Sequence, residues 1–289
     1  MPELPEVETV VRGLRPILEG RTFARVRSYA PPSSVVISKS IRKRKLETIL
    51  PGSSVKTISR RGKNILISLS GERTLWVHLK MTGKFRYLDK SSPRDKHDLL
   101  LFDLEPNGSS PANQQLRFND YRRFGRLRLF PDEELWNQPG LANLGPEPLE
   151  LSADDFVALC QTRTRMFKPA LLDQNFIAGI GNIYADEALY LSRLHPTRLT
   201  SSVSAKKLTE LHGHIQKMLR KSIRMMGTTV ISYSGVYGSS GSFQQMLKVY
   251  GREGEPCTNC GARIIREKLG SRSAHYCPRC QRTPSAITD

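Results

Sequence analysis

Apolar positions along the chain change their period near residue 20 and again near residue 150. Over residues 5–19, Val7, Val10, Val11, Leu14 and Leu18 recur at the spacing of a helix with one buried face, and Gly20 closes the run. From about 22 to 130 the pattern becomes short β-branched and aliphatic runs, among them Ile65–Leu69, Leu75–Leu79, Leu99–Leu104 and Arg126–Phe130. Gly-containing turns such as Asn107-Gly108 separate these runs, which predicts antiparallel hairpins forming a β-sandwich. Segments 91–98 and 106–115 read as polar surface loops. Residues 131–150, rich in Pro, Gly, Asn and acid, read as a link.

Beyond the link the period is helical. Ser152 followed by Asp155 has the form of a capping arrangement ahead of Phe156–Cys160. Further helices are predicted over Lys168–Gln174, Asn182–Leu191 and Ala205–Met226. The last has Leu208, Leu211, Ile215, Leu219, Ile223 and Met226 on one face and Lys206, Lys207, Lys217, Arg220, Lys221 and Arg224 on the other. Residues 232–242, dense in Gly and Ser, read as a loop. The domains expected from this pattern are 1–133, a linker over 134–150, 151–245, and a terminal module over 246–289.

Charge narrows the class of partner. The chain of 289 residues has a formal net charge of +18, and its pI is near 10. Residues 1–150 hold 26 Lys+Arg against 17 Asp+Glu, and residues 151–289 hold 19 against 10, so each half carries +9. A basic tail on a neutral enzyme would not give this distribution; two domains lining one groove for a polyanion would. Nucleic acid is favoured over an anionic membrane surface, since neither end offers a basic amphipathic anchor. No run approaches the ~18 apolar residues of a membrane span, and no signal-peptide stretch opens the chain, so a cytoplasmic location is expected.

Two groups of residues carry candidate chemistry. Cys257-x2-Cys260 and Cys277-x2-Cys280 have the spacing of two knuckles around one tetrahedral ion, and zinc is the usual occupant. Four thiolates leave no open position, so such an ion is structural. Two disulfides or a redox pair are the alternatives. Residues 263–276 should form a hairpin between the knuckles, made basic by Arg263, Arg266, Lys268 and Arg272. Cys160, on an apolar helical face, reads as core.

The second group is Pro2, Glu3 and Glu6. Initiator methionine is commonly removed ahead of proline, which would leave Pro2 as a terminal secondary amine. An α-amino group titrates near pH ~8 against ~10.4 for lysine, so roughly a tenth is unprotonated at neutral pH. Such an amine can attack an aldehyde-like carbon and form an iminium ion, with Glu3 and Glu6 at hand to move protons. The plainer reading is that Pro2 and Pro5 start a helix whose positive end suits acids.

These pieces together resemble the formamidopyrimidine-DNA glycosylases, bacterial enzymes of oxidised-purine repair. The resemblance rests on PELPEVETVVRGL at the start, RRGKN at 60–64, YRRFG at 121–125, FKPALLDQN at 167–175, GIGNIYADE at 179–187, and VYGREGEPC leading into the cysteines. It implies an α+β fold: an N-terminal antiparallel β-sandwich with a terminal α-helix, then a C-terminal helical domain with a helix–two-turns–helix motif and a zinc-finger β-hairpin. It also implies a bifunctional glycosylase/lyase acting on 8-oxoguanine and formamidopyrimidines in damaged double-stranded DNA, as a monomer, with one structural zinc and no organic cofactor. Pro2, Glu3, Lys63 and Arg272 would be catalytic and Glu6 a proton relay. Lys168, Asn182, Tyr184, Arg123 and Arg272 would bind DNA. Met81, Arg122 and Phe124 would fill the gap left by a flipped base, because an extruded nucleotide leaves an unstacked hole. Glu187 is open between a helix-stabilising and a catalytic carboxylate. An endonuclease VIII-type enzyme for oxidised pyrimidines and a non-enzymatic zinc-containing binder of damaged DNA are the competing readings.

Overall fold

The computed structural model describes residues 1–31, 34–37, 45–106, 113–228, 236, 238 and 240–283. Asn107-Gly108, most of the 106–115 insert, most of the 232–242 loop and the tail after 283 lie outside them. The described residues form two compact units, one from Met1–Ala142 with Met225–Ser242, the other from Asn143–Arg224 with Phe243–Asp289.

The first unit runs α1 (Leu4–Leu18), β1 (Phe23–Ser28), β2 (Val35–Ile37), α2 (Leu46–Ile49), β3 (Val55–Arg61), β4 (Asn64–Leu69), β5 (Arg73–His78), β6 (Lys84–Asp89), β7 (Asp98–Leu104), β8 (Gln114–Asn119), β9 (Arg126–Pro131) and α3 (Asp132–Leu135). The strands make a four-stranded sheet in the order β1-β7-β8-β6 and a five-stranded sheet in the order β2-β9-β5-β4-β3. Pairing is antiparallel except between β2 and β9. A single core takes Val7, Val10, Val11 and Leu14 from α1, Ile65 and Ile67 from β4, Leu75 and Val77 from β5, and Phe102, Leu116 and Phe118 from the other sheet. Each such side chain contributes about 1.5–3 kcal/mol on leaving water, so α1 is held by its buried stripe more than by its own hydrogen bonds.

The second unit runs α4 (Ala153–Thr162), α5 (Phe167–Leu172), α6 (Asn182–Leu191), α7 (Ala205–Arg224), β10 (Ile265–Leu269) and β11 (Arg272–Tyr276). Ser152 caps α4 as the sequence predicts, its Oγ accepting from the Asp155 N–H at 3.1 Å. The helix expected to reach Met226 stops at Arg224, because Met226 and Gly227 both take the left-handed conformation, at φ 58° and 79°. After that break the chain packs with the first unit, and Val236 enters its core.

Candidate active site and metal centre

At the start of α1 the acidic residues are interior: Glu3 is 3% exposed and Glu6 is 2%. Glu6 Oε2 accepts the Glu3 N–H at 2.9 Å, so its carboxylate turns back onto the chain terminus. Its other oxygen, Oε1, accepts the Thr228 N–H at 2.7 Å and the Thr228 hydroxyl at 3.0 Å. Backbone space explains the two glycines beside it. A Cβ on Gly227 would lie 2.7 Å from Glu6 Oε1, and one on Gly241 would collide with the Gly227 carbonyl oxygen. The Ser242 N–H donates to the Met225 carbonyl at 3.0 Å. Residues 225–228 and 241–242 therefore lie against each other, and Glu6 joins them to the residues around Pro2.

Two loops of the same unit bring together the residues expected to fill a base gap. Met81 is 39% exposed and Phe124 46%, and the Arg122 guanidinium lies 4.8 Å over the Phe124 ring. Asp120, fully buried, ties the loops to each other. Its Oδ1 accepts the Thr82 hydroxyl and the Arg122 N–H, and its Oδ2 accepts the Gly125 N–H at 2.6 Å. The Phe118 ring sits where a side chain at Gly83 or Gly125 would be. Arg123 is exposed and left-handed, at φ 57°. Nothing in the sequence distinguishes Asp120 from any other acid near a turn.

Lys63 follows Gly62 in the turn between β3 and β4 and is 6% exposed. Nearby His78 was not singled out from sequence, since a lone histidine ending a strand carries no pattern. Burial, then the positive charges of Lys80, Lys63 and Arg128, bring its pKa down to about 3, so the ring is neutral at physiological pH.

In the second unit, Asn182 opens α6 after Gly181, and Arg272 is exposed at the start of β11. Lys168 and Tyr184, expected to grip phosphates, lie in the interior instead. Lys168 is 1% exposed, with Nζ 2.5 Å from Asp186 Oδ1 and 3.0 Å from the Asn182 carbonyl. The Tyr184 hydroxyl is 2.6 Å from Ser222 Oγ, between α6 and α7. Asp186 Oδ2 accepts the His275 N–H and lies 3.0 Å from His275 Nδ1, which fastens α6 to β11. Glu187 proves to be a fastening too: its carboxylate accepts the N–H groups of Lys248, Val249 and Tyr250. Burial raises its pKa despite those donors.

The four cysteine sulfurs of 257, 260, 277 and 280 all lie within 4.8 Å of one another. Cys257 and Cys280 are 3.8 Å apart and Cys260 and Cys277 3.4 Å, too long for the ~2.05 Å of a disulfide. Tetrahedral thiolates at ~2.3 Å from zinc stand about 3.8 Å apart, so these donors fit one ion with a closed shell. Cys160 is buried, its thiol pushed up to about 12 by desolvation, and is a core residue.

A β-sandwich whose first helix follows Pro2 and Glu3, with helices and a four-cysteine hairpin in the second unit, defines the class of helix–two-turns–helix, zinc-finger DNA glycosylases. The formamidopyrimidine-DNA glycosylase N-terminal domain matches residues 1–127, the H2TH domain of those enzymes residues 144–234, and the zinc finger found in FPG and IleRS residues 254–283. The formamidopyrimidine-DNA glycosylase of Pelotomaculum thermopropionicum is 43% identical over 98% of this chain and 99% of its own, and that of Desulforamulus reducens is 41% identical over the same shares. Among solved structures, a Lactococcus lactis Fpg mutant in complex with Fapy-dG-containing DNA superposes with a TM-score of 0.87 at 34% identity, over 98% of this chain and all of that one. Lactococcus lactis Fpg with abasic-site DNA gives 0.86 at 35%, over 97% of this chain and all of that one. This chain belongs to the formamidopyrimidine-DNA glycosylase family.

Proposed function

We propose that this protein excises oxidised purines from duplex DNA and then cuts the strand, with the amine of Pro2 as nucleophile once Met1 is removed. The observation that carries the mechanism is the Glu6 carboxylate, which holds the Glu3 N–H and the Thr228 N–H in one buried network. The Pro2 nitrogen bonds to C1′ of the damaged nucleotide as the glycosidic bond breaks; the base leaves with that electron pair and takes up a proton. Glu3 protonates the ring oxygen, the sugar opens, and a C1′=N⁺ iminium remains. That electron sink acidifies C2′. Loss of a C2′ proton expels the 3′ phosphate, and a second elimination expels the 5′ phosphate. Glu6 positions the terminus and relays protons.

Lys63, Arg123, Asn182 and Arg272 contact phosphates, while Met81, Arg122 and Phe124 occupy the vacated stack. Lys168 and Tyr184 serve binding from the interior: Lys168 holds the first turn of α6 through the Asn182 carbonyl, and Tyr184 joins α6 to α7. The zinc, held by Cys257, Cys260, Cys277 and Cys280, supplies structure alone. The protein acts as a monomer on cytoplasmic DNA; no described helix is long and apolar enough to cross a membrane. Borohydride reduction with lesion DNA should trap a covalent adduct on a chain whose mass lacks Met1. A Pro2→Gly chain blocked at its amine should give none, and an adduct persisting in that chain would defeat the assignment.

A further inference from the structure

One end of the five-stranded sheet carries an electrostatic conflict in the free protein. Register places Arg126, His78 and Asn64 in one row across β9, β5 and β4, with Arg128, Trp76 and Leu66 in the next. Strand alternation sends Leu75, Val77, Leu127 and Leu129 into the core, so His78, Arg126 and Arg128 share the opposite face. Lys80 follows two residues after His78. It takes φ 54°, uncommon for a residue with a side chain, and its N–H donates to His78 Nδ1 at 3.0 Å.

The charges acting on Lys80 are positive: burial, then Arg126 and Arg128, lower its pKa. Arg128 is lowered by burial and by Arg126. Its guanidinium lies 4.4 Å over the Trp76 ring, and its Nε is buried with no hydrogen-bond partner. Among the described residues no carboxylate pairs with Lys80, Arg126 or Arg128. Half-buried like charges oppose folding through their repulsion and lost hydration. An anion arriving from solution would remove that opposition.

We infer that Lys80 and Arg128, with Arg126, form an anion site for phosphodiester groups of a DNA strand, set at the root of the two loops that carry Met81 and Phe124. Lys80 directly precedes Met81, and Arg126 lies two residues after Phe124. Arg126 also donates to the carbonyls of Phe124 and Gly125 at 2.9 and 3.1 Å, so a phosphate held there is connected to the second loop by one side chain. Asp120 couples that loop to the first. Gripping the backbone at this point thus steadies both gap-filling side chains together. Lys80 acts as a point charge and Arg128 as a fork with free donors.

The identity of the ligand rests on the proposed DNA-repair function; the existence of an anion site does not. The test uses the full chain with K80N and R128M, singly and combined. Asn tolerates left-handed backbone, and Met keeps an unbranched apolar stem over Trp76. Inorganic sulfate should raise the Tm of the parent protein more than that of the double variant. Without sulfate, at low salt, the variants should melt no lower than the parent, since repulsion is relieved. For an undamaged duplex, the slope of log affinity against log salt should become shallower by about 0.9 for each phosphate that is no longer neutralised, with affinity at low salt down about tenfold. Equal sulfate shifts in parent and double variant would overturn the site, and equal salt slopes would overturn its role on DNA. Failure of borohydride trapping in the parent would count against the Pro2 chemistry alone and leave both readouts intact.

Discussion

At His78, burial and three neighbouring cations act in one direction: each disfavours a second proton, and the pKa falls from 6.5 to about 3. In the unfolded chain the same ring titrates near its ordinary value. Between those two pKa values the unfolded state binds a proton that the folded state refuses, so stability is lost as pH falls. The cost from this one group reaches about 1.4 kcal/mol per pH unit. His195 and His214 are also lowered by burial and add to the same trend. The difference between parent and H78Q isolates the effect. Urea denaturation from pH 6 to pH 5, above the carboxylate range, should show a shallower loss in H78Q; equal slopes would mean that His78 takes up its proton while folded.

Helix α6 works as a fastening element. Its adjacent acids take different partners, Asp186 holding Lys168 and β11, and Glu187 the backbone of 248–250. Asp186 is fully buried and finds its partners in Lys168 and His275. D186N should leave the Lys168 ammonium buried without a counter-charge and cost about 3–5 kcal/mol in chemical denaturation. Replacing both by apolar residues of similar volume, K168M/D186L, should recover most of that stability. If the double variant is no better than D186N, the loss comes from packing and not from a stranded charge.

Among the described residues, the core of the first unit and that of the terminal hairpin are built in different ways. The first unit rests on a large apolar interior shared by α1 and both sheets. The terminal hairpin of the second has only a small cluster around Tyr190, Val249, Cys257, Ile264 and Cys277, and zinc binding supplies on the order of 10 kcal/mol to such modules. Chelation should release one zinc per chain and strip hydrogen-exchange protection from β10 and β11, while amides of β4 and β5 stay protected. Loss of protection in both units together would show that they fold as one.

Legibility in the sequence follows from the kind of signal each part carries. Helix α6 was legible to the residue because its apolar run and its Gly boundary agree, and the cysteine knuckles because metal geometry demands that spacing. Strands β1, β3, β6 and β8 show no clear run, since half or more of their positions are charged or polar; in β8, Arg117 is buried among carbonyls and Asp98, against every hydropathy rule. The same limit governs the site. Pro2 and Glu3 offer candidate chemistry that can be read locally and the loop residues follow from family motifs, but the contacts of Glu6, Asp120 and Asp186 depend on partners 222, 38 and 89 residues away. Local order along the chain determined the helices, the apolar strands, the metal ligands and the family motifs, because these depend on near neighbours. Only the tertiary structure decided which cations lie buried in pairs, as Lys168 does, and which are held against one another, as Lys80 and Arg128 are, because charge environment is set by distance through space.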